Sequence, residues 1–116
     1  MKKTQLVSEL PAAKSWLVVH GEPKDGLTYA LRKDVVTVGK DSRNTDFMIT
    51  DPAISNNHIR LRRQGEHYEL TDLASLNGTW VNSKRVQKCL LSDDDVIRIG
   101  NTFLVYKHIS ANINKT

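Results

Sequence analysis

The sequence predicts an all-β chain folded as a two-sheet β-sandwich, and three observations carry that expectation. Val, Ile and Thr supply 10, 7 and 9 of the 116 residues, and side chains branched at Cβ favour extended backbone. Short apolar or alternating runs succeed one another along the chain, separated by Gly, Asn and Asp in turn-forming combinations. No stretch of 10 or more residues keeps a 3.6-residue apolar period free of Pro, Gly or β-branched clusters. About ten short strands with regular turns is the pattern of a sandwich, and the chain shows no internal repeat.

The first strand is expected over Trp16–His20 and the second over Leu27–Leu31, closed into a hairpin by Lys24-Asp25-Gly26, where glycine tolerates the left-handed backbone of a tight turn. Val35–Gly39 and Phe47–Ile49 follow as apolar runs. The clearest alternation lies in His58–Arg62, with Ile59 and Leu61 facing inward and Arg60 and Arg62 outward. Tyr68 and Leu70 in His67–Leu73 answer it beyond Gln64-Gly65, so the two runs read as a hairpin. Thr79–Val81, Val96–Ile99 and Thr102–Tyr106 complete the set, the last two meeting across Gly100-Asn101. Residues 1–13 and 110–116 read as unanchored tails around a single domain at 14–109.

Composition narrows the function classes. Hydrophobic content of 39% with 26% charged residues suits one globular domain, and a chain of this length hides roughly 65% of its unfolded surface, enough for a core without metals or crosslinks. The single cysteine, Cys89, excludes an intramolecular disulfide and offers a zinc site one thiolate at most. No apolar run approaches the roughly 20 residues of a membrane span, and Gln5, Ser8 and Glu9 interrupt any signal core, so a cytoplasmic location is expected. A net charge of +4 favours anionic partners: nucleic acid, acidic membrane or phosphorylated protein.

A rigid sandwich presents its chemistry on loops, and three are rich in polar groups: Thr37 to Asp46, Asp51 to His58, and Asp72 to Thr79. Together they offer a cation (Lys40), a hydroxyl (Ser55), two amides (Asn56 and Asn77) and glycines that let backbone approach a ligand closely. Such a set suits a phosphate, a group of about −1.5 to −2 charges with strong acceptor oxygens. Taken singly, each loop is ordinary turn chemistry.

Taken in order, Gly39 with a basic residue next, Ser55-x-x-His58, then Asn77-Gly78-Thr79 with Asn82 resembles the forkhead-associated (FHA) domain, over roughly residues 14–108. The resemblance implies an eleven-stranded sandwich that binds phosphothreonine peptides at its loop end, without catalysis, cofactor or metal. In that likeness Lys40, Ser55 and Asn56 meet the phosphate and Asn77 holds the backbone of the bound peptide. Gly39, His58, Ser75, Gly78, Thr79 and Asn82 support the site, with His58 as the buried tie between loops. Family members usually carry Arg where this chain has Lys40, and Arg grips two phosphate oxygens where Lys offers a point charge. Many have Thr in place of Leu76, and some have an acid-selecting Arg in place of Ala53. Threonine gains over serine by about 0.8 kcal/mol through its methyl, and by its smaller loss of rotamer freedom. The implied role is a phosphothreonine-dependent interaction module, monomeric, in a Ser/Thr kinase pathway, as part of a larger signalling or transcriptional regulator. Thr4, in the basic N-terminal tail, is a candidate kinase target and ligand in cis or trans.

Other chemistries fit less well. Gly39-Lys40 lacks the glycine five residues upstream that a nucleotide-binding loop requires, since position 34 is Asp. His20, His58, His67 and His108 show no close ligand spacing, and Asp93-Asp94-Asp95 lacks the periodicity and glycine of a calcium loop. A triad of Ser55, His58 and Asp51 has no nucleophile-elbow pattern beside it. Trp16 and Trp80 read as core or rim packing. A phosphate-independent docking FHA module is one alternative. The other is nucleic-acid binding by Arg60, Arg62, Arg63, Lys84, Arg85 and Lys88 on solvent faces of strands.

Overall fold

Side chains that alternate between apolar and polar environments sort into eleven strands in the computed structural model, which describes residues 13–21 and 24–110. They are β1 (Ser15–His20), β2 (Thr28–Leu31), β3 (Val35–Gly39), β4 (Phe47–Met48), β5 (Ile59–Gln64), β6 (His67–Asp72), β7 (Thr79–Val81), β8 (Lys84–Arg85), β9 (Lys88–Leu90), β10 (Val96–Ile99) and β11 (Thr102–His108). One sheet runs β2-β1-β11-β10-β7-β8 and the other β4-β3-β5-β6-β9. All described pairings are antiparallel except β3 with β4. Thr4 and the expected tails lie outside the described residues, apart from Ala13 and Ser110.

Period-two alternation places Leu17, Val19, Ile97, Ile99, Leu104 and Tyr106 of the first sheet against Val36, Val38, Ile59, Leu61, Tyr68 and Leu70 of the second, all buried. Each such side chain stabilises the fold by roughly 1.5–3 kcal/mol relative to exposure. The expected hairpin is present, with Leu61 opposite Leu70 and Gly65 turning at φ +66°. Strand ends shift by one or two residues because final pairings depend on partners across the sheet.

Two strands have no counterpart among the expected runs. Lys84–Arg85 and Lys88–Leu90 are polar or exposed and lack alternation. Tertiary pairing alone makes them strands, as Trp80 faces Arg85 and Leu70 faces Cys89. Of the core or rim packing expected for Trp16 and Trp80, the structure takes the second: their neighbours Leu17, Thr79 and Val81 are buried, and the two indoles lie half-buried on the outer face of the six-stranded sheet. The basic cluster is divided: Arg60, Arg62, Arg63 and Lys88 belong to the five-stranded sheet, Lys84 and Arg85 to the other. Arg63 pairs with Asp34 at 3.1 Å and stacks over Tyr68. Among the described residues no helix is long and apolar enough to cross a membrane.

At the pole where β6 and β1 begin and β11 ends, the His67 and His108 rings stand 4.1 Å apart. His108 Nδ1 meets Ser15 Oγ at 2.9 Å, and Glu66 lies 3.8 Å from Nε2. Burial, and then His67, push the His108 pKa below its ordinary 6.5 despite the opposing pull of Glu66 and Asp93. An unfolded chain therefore takes up this proton first as pH falls, and the stability contributed by the neutral ring is present above pH 6.5 and lost on acidification through the lower folded value. The melting temperature is expected to fall as pH drops from 7 towards 5, and His108→Gln to flatten that slope. An unchanged slope in the variant would reject His108 as the source.

Candidate functional site

Three turns at the opposite pole are stitched together through their backbones. Leaving β3, the chain sends Lys40 N to Ser55 O and Asp41 N to Asn56 O, both at 3.1 Å. Gly39 makes this possible: a Cβ there would sit 2.0 Å from Asn56 O and 2.7 Å from its carbonyl carbon. Asp41 turns its carboxylate into its own loop, towards Arg43 N and Asn44 Nδ2. Lys40 stays exposed and belongs to no ion pair among the described residues.

The second loop hangs on two buried side chains. Asp51 accepts hydrogen bonds from Ala53 N, Asn101 N and Thr102 Oγ1 at 2.8–2.9 Å. Burial alone would raise its pKa, but these bonds outweigh burial and hold it below the usual carboxylate range. His58 is fully buried, accepts from Ser55 N at 3.0 Å through Nδ1, and meets Gly78 O at 2.8 Å through Nε2. An amide can only donate, so the ring carries its proton on Nε2 and donates to Gly78.

The third loop is organised by Asp72, which sequence reasoning passed over. Its carboxylate accepts from Ser75 N, Ser75 Oγ and Thr79 Oγ1. Burial pushes its pKa up, but the bonds from Ser75 and Thr79 prevail and leave it lowered. Ser75 Oγ in turn accepts from Gly78 N at 2.9 Å. An acid followed by Ser three residues on is the sequence signal for such a turn. Gly78 takes φ +92°, a left-handed geometry that disfavours side chains.

These ties bring Lys40, Ser55, Asn56 and Asn77 to one rim. Ser55 Oγ accepts from Leu76 N at 3.1 Å, which uses an acceptor site and leaves the hydroxyl proton available to an anion. Asn77 Nδ2 donates to Ala53 O at 2.9 Å, and its Oδ1 takes no hydrogen bond among the described residues. Asn56 is exposed, and Leu76 stands out at 86% exposure. Asn82 is not brought to the rim. It sits at the far end of β7, where it and Ser83 turn the chain at φ +51° and +70°, and it accepts from Val96 N while donating to Asp95. The triad geometry does not form either, because His58 faces the Ser55 amide and the Ser55 hydroxyl faces Leu76.

The rim thus gathers a cation, a hydroxyl and two amides from three hydrogen-bonded loops, a set of donors suited to an oxyanion. The FHA domain family model matches residues 36–100. The chain is 35% identical over 100 residues to an oxoglutarate dehydrogenase inhibitor of Corynebacterium jeikeium, covering 86% of this chain and 69% of that protein. It is 31% identical over 100 residues to the glycogen accumulation regulator GarA of Mycolicibacterium smegmatis, covering 86% of this chain and 63% of that one. Among solved structures, a domain from a structural and functional analysis of phosphothreonine-dependent FHA domain interactions superposes with a TM-score of 0.78 at 32% identity, over 84% of this chain and 98% of that one.

Proposed function

The chain belongs to the FHA domain family, and from that premise we propose that it is a phosphothreonine-peptide binding module of a Ser/Thr kinase pathway, carried by a regulatory protein and not itself an enzyme. The reading rests on one observation: Lys40, Ser55 and Asn77 come from three separate loops held at one rim by the Lys40–Ser55 and Ser55–Leu76 hydrogen bonds. Ser55 donates its hydroxyl proton to a phosphate oxygen, Lys40 supplies the opposing charge, and Asn56 closes over the anion. Asn77, already fixed to Ala53, offers its remaining amide atoms to the peptide backbone.

Each charge-assisted hydrogen bond is worth roughly 1.5–3 kcal/mol. Ser55→Ala is therefore expected to weaken phosphopeptide binding by about 10- to 150-fold with the fold intact, and Asn77→Ala, whose bonds to the peptide backbone are neutral and worth roughly 0.5–1.5 kcal/mol each, by about 2- to 13-fold per bond lost. Lys40→Arg is expected to maintain or tighten it, because a guanidinium can engage two oxygens. Calorimetry against a degenerate phosphothreonine library, with phosphoserine and unmodified controls, tests the whole set. Equal affinity for the unmodified peptide would replace this reading with phosphate-independent docking. Indifference to Asn77→Ala would remove that residue from the site.

A further inference from the structure

Lys84 and Arg85 are too polar and too few to make a strand unaided, but the Asn82–Ser83 turn folds them back on β7 and pairs Arg85 with Trp80. The Arg85 guanidinium then lies directly over Gly78: a Cβ on that glycine would meet Nε at 2.9 Å and Cζ and Nη2 at 3.0 Å. Its Cζ stands 5.5 Å from the centre of the Trp80 ring, whose other cross-strand neighbour, Arg98, stands at 4.9 Å. Stacking on an indole restricts a guanidinium while leaving its edge donors able to bind a planar anion. Neither arginine belongs to any ion pair among the described residues. A cleft of about 280 Å³ lined by Trp80, Asn82, Ser83, Val96, Arg98 and Phe103 continues from Trp80 along the sheet.

Distance sets what this cation can read. Leu76, whose amide holds Ser55 Oγ, is two residues from Gly78, a span of at most about 7 Å. An extended peptide advances about 3.3 Å per residue, so a side chain two or three residues from the phosphothreonine reaches Arg85. Ala53 supplies no charge on the neighbouring loop.

We propose that Arg85 is a specificity-determining residue that reads a second anion, a carboxylate or a second phosphate, two or three residues from the phosphothreonine on the flank crossing Asn77–Gly78. The proposal rests on the reading of the rim given above and deepens it.

The test uses three peptides that share one phosphothreonine: one with Ala at the second and third positions on both flanks, one with Glu there, and one with phosphoserine there. Wild type is expected to bind the Glu peptide about fivefold, and the phosphoserine peptide more than fivefold, tighter than the Ala peptide. Arg85→Gln is expected to bind all three as the wild type binds the Ala peptide, and Arg85→Lys to keep part of the preference. Preference for phosphoserine alone would assign the contact to phosphate, and preference for both to any acid. Two outcomes overturn the proposal while leaving the rim reading standing: wild type binding all three alike, or Arg85→Gln weakening the Ala peptide as much as the others. Failure of every phosphopeptide to bind overturns both.

Discussion

Replacing His58 with alanine is expected to destabilise the domain by about 3–5 kcal/mol and to abolish phosphopeptide binding with it. The ring is fully buried and joins the Ser55 amide on one loop to the Gly78 carbonyl on another. Alanine strands both groups where water cannot easily replace the partner, at roughly 1–3 kcal/mol apiece, and leaves a cavity besides. At about 4–8 °C per kcal/mol for a domain approaching this size, a melt should shift by about 12 °C or more. His58→Phe separates the causes, since it restores bulk without either hydrogen bond and is expected to recover little. If Phe restored both melting temperature and binding, His58 would act by volume alone. If alanine melted within a few degrees of the wild type, the loops would not depend on it at all.

What could be read from the sequence follows how local each physical cause is. Ile59 and Leu61 against Tyr68 and Leu70 declare their register through period-two alternation and a Gly65 turn, both visible within a few residues. The tie that His58 makes to Ser55, three residues away, is local, yet in the sequence it was implied only by the family resemblance. Lys84–Arg85 and Lys88–Leu90 carry no such signal, because they extend only by pairing with β7 and β6. Asp72 was legible in principle from its spacing to Ser75. Its bond to Thr79, seven residues on, depends on how β7 leaves the turn. Trp80 shows the limit most clearly. Its indole suits core or rim equally in the sequence, and only the inward positions of Thr79 and Val81 leave Trp80 outside between two arginines.

Gly39→Ala is the second large effect, and its cause is steric, since Gly39 is not among the residues of positive φ and alanine can adopt its backbone. The obstacle is the neighbouring loop: the new Cβ would lie 2.0 Å from Asn56 O, 2.7 Å from Asn56 C and 3.0 Å from Asn57 Cα, all main-chain atoms that no rotamer change can clear. Carbon and oxygen that are not bonded approach to about 3.3 Å even in weak hydrogen-bonded contact, so the two loops must part by more than an ångström. That displacement breaks the Lys40–Ser55 and Asp41–Asn56 hydrogen bonds, each 3.1 Å long, which hold the cation beside the hydroxyl. Overpacking of about 1–3 kcal/mol plus two lost bonds near 1 kcal/mol each gives an expected destabilisation of about 3–5 kcal/mol. Binding should suffer beyond what unfolding explains, because the folded fraction itself holds a widened rim. Gly65→Ala is the matched control: it takes φ +66° with nothing within 4 Å of the added carbon, so in the β5–β6 turn at the opposite pole it strains the backbone away from the rim and should leave affinity unchanged. If Gly39→Ala instead bound within twofold of the wild type, the closeness of the two loops would have no part in recognising the phosphate.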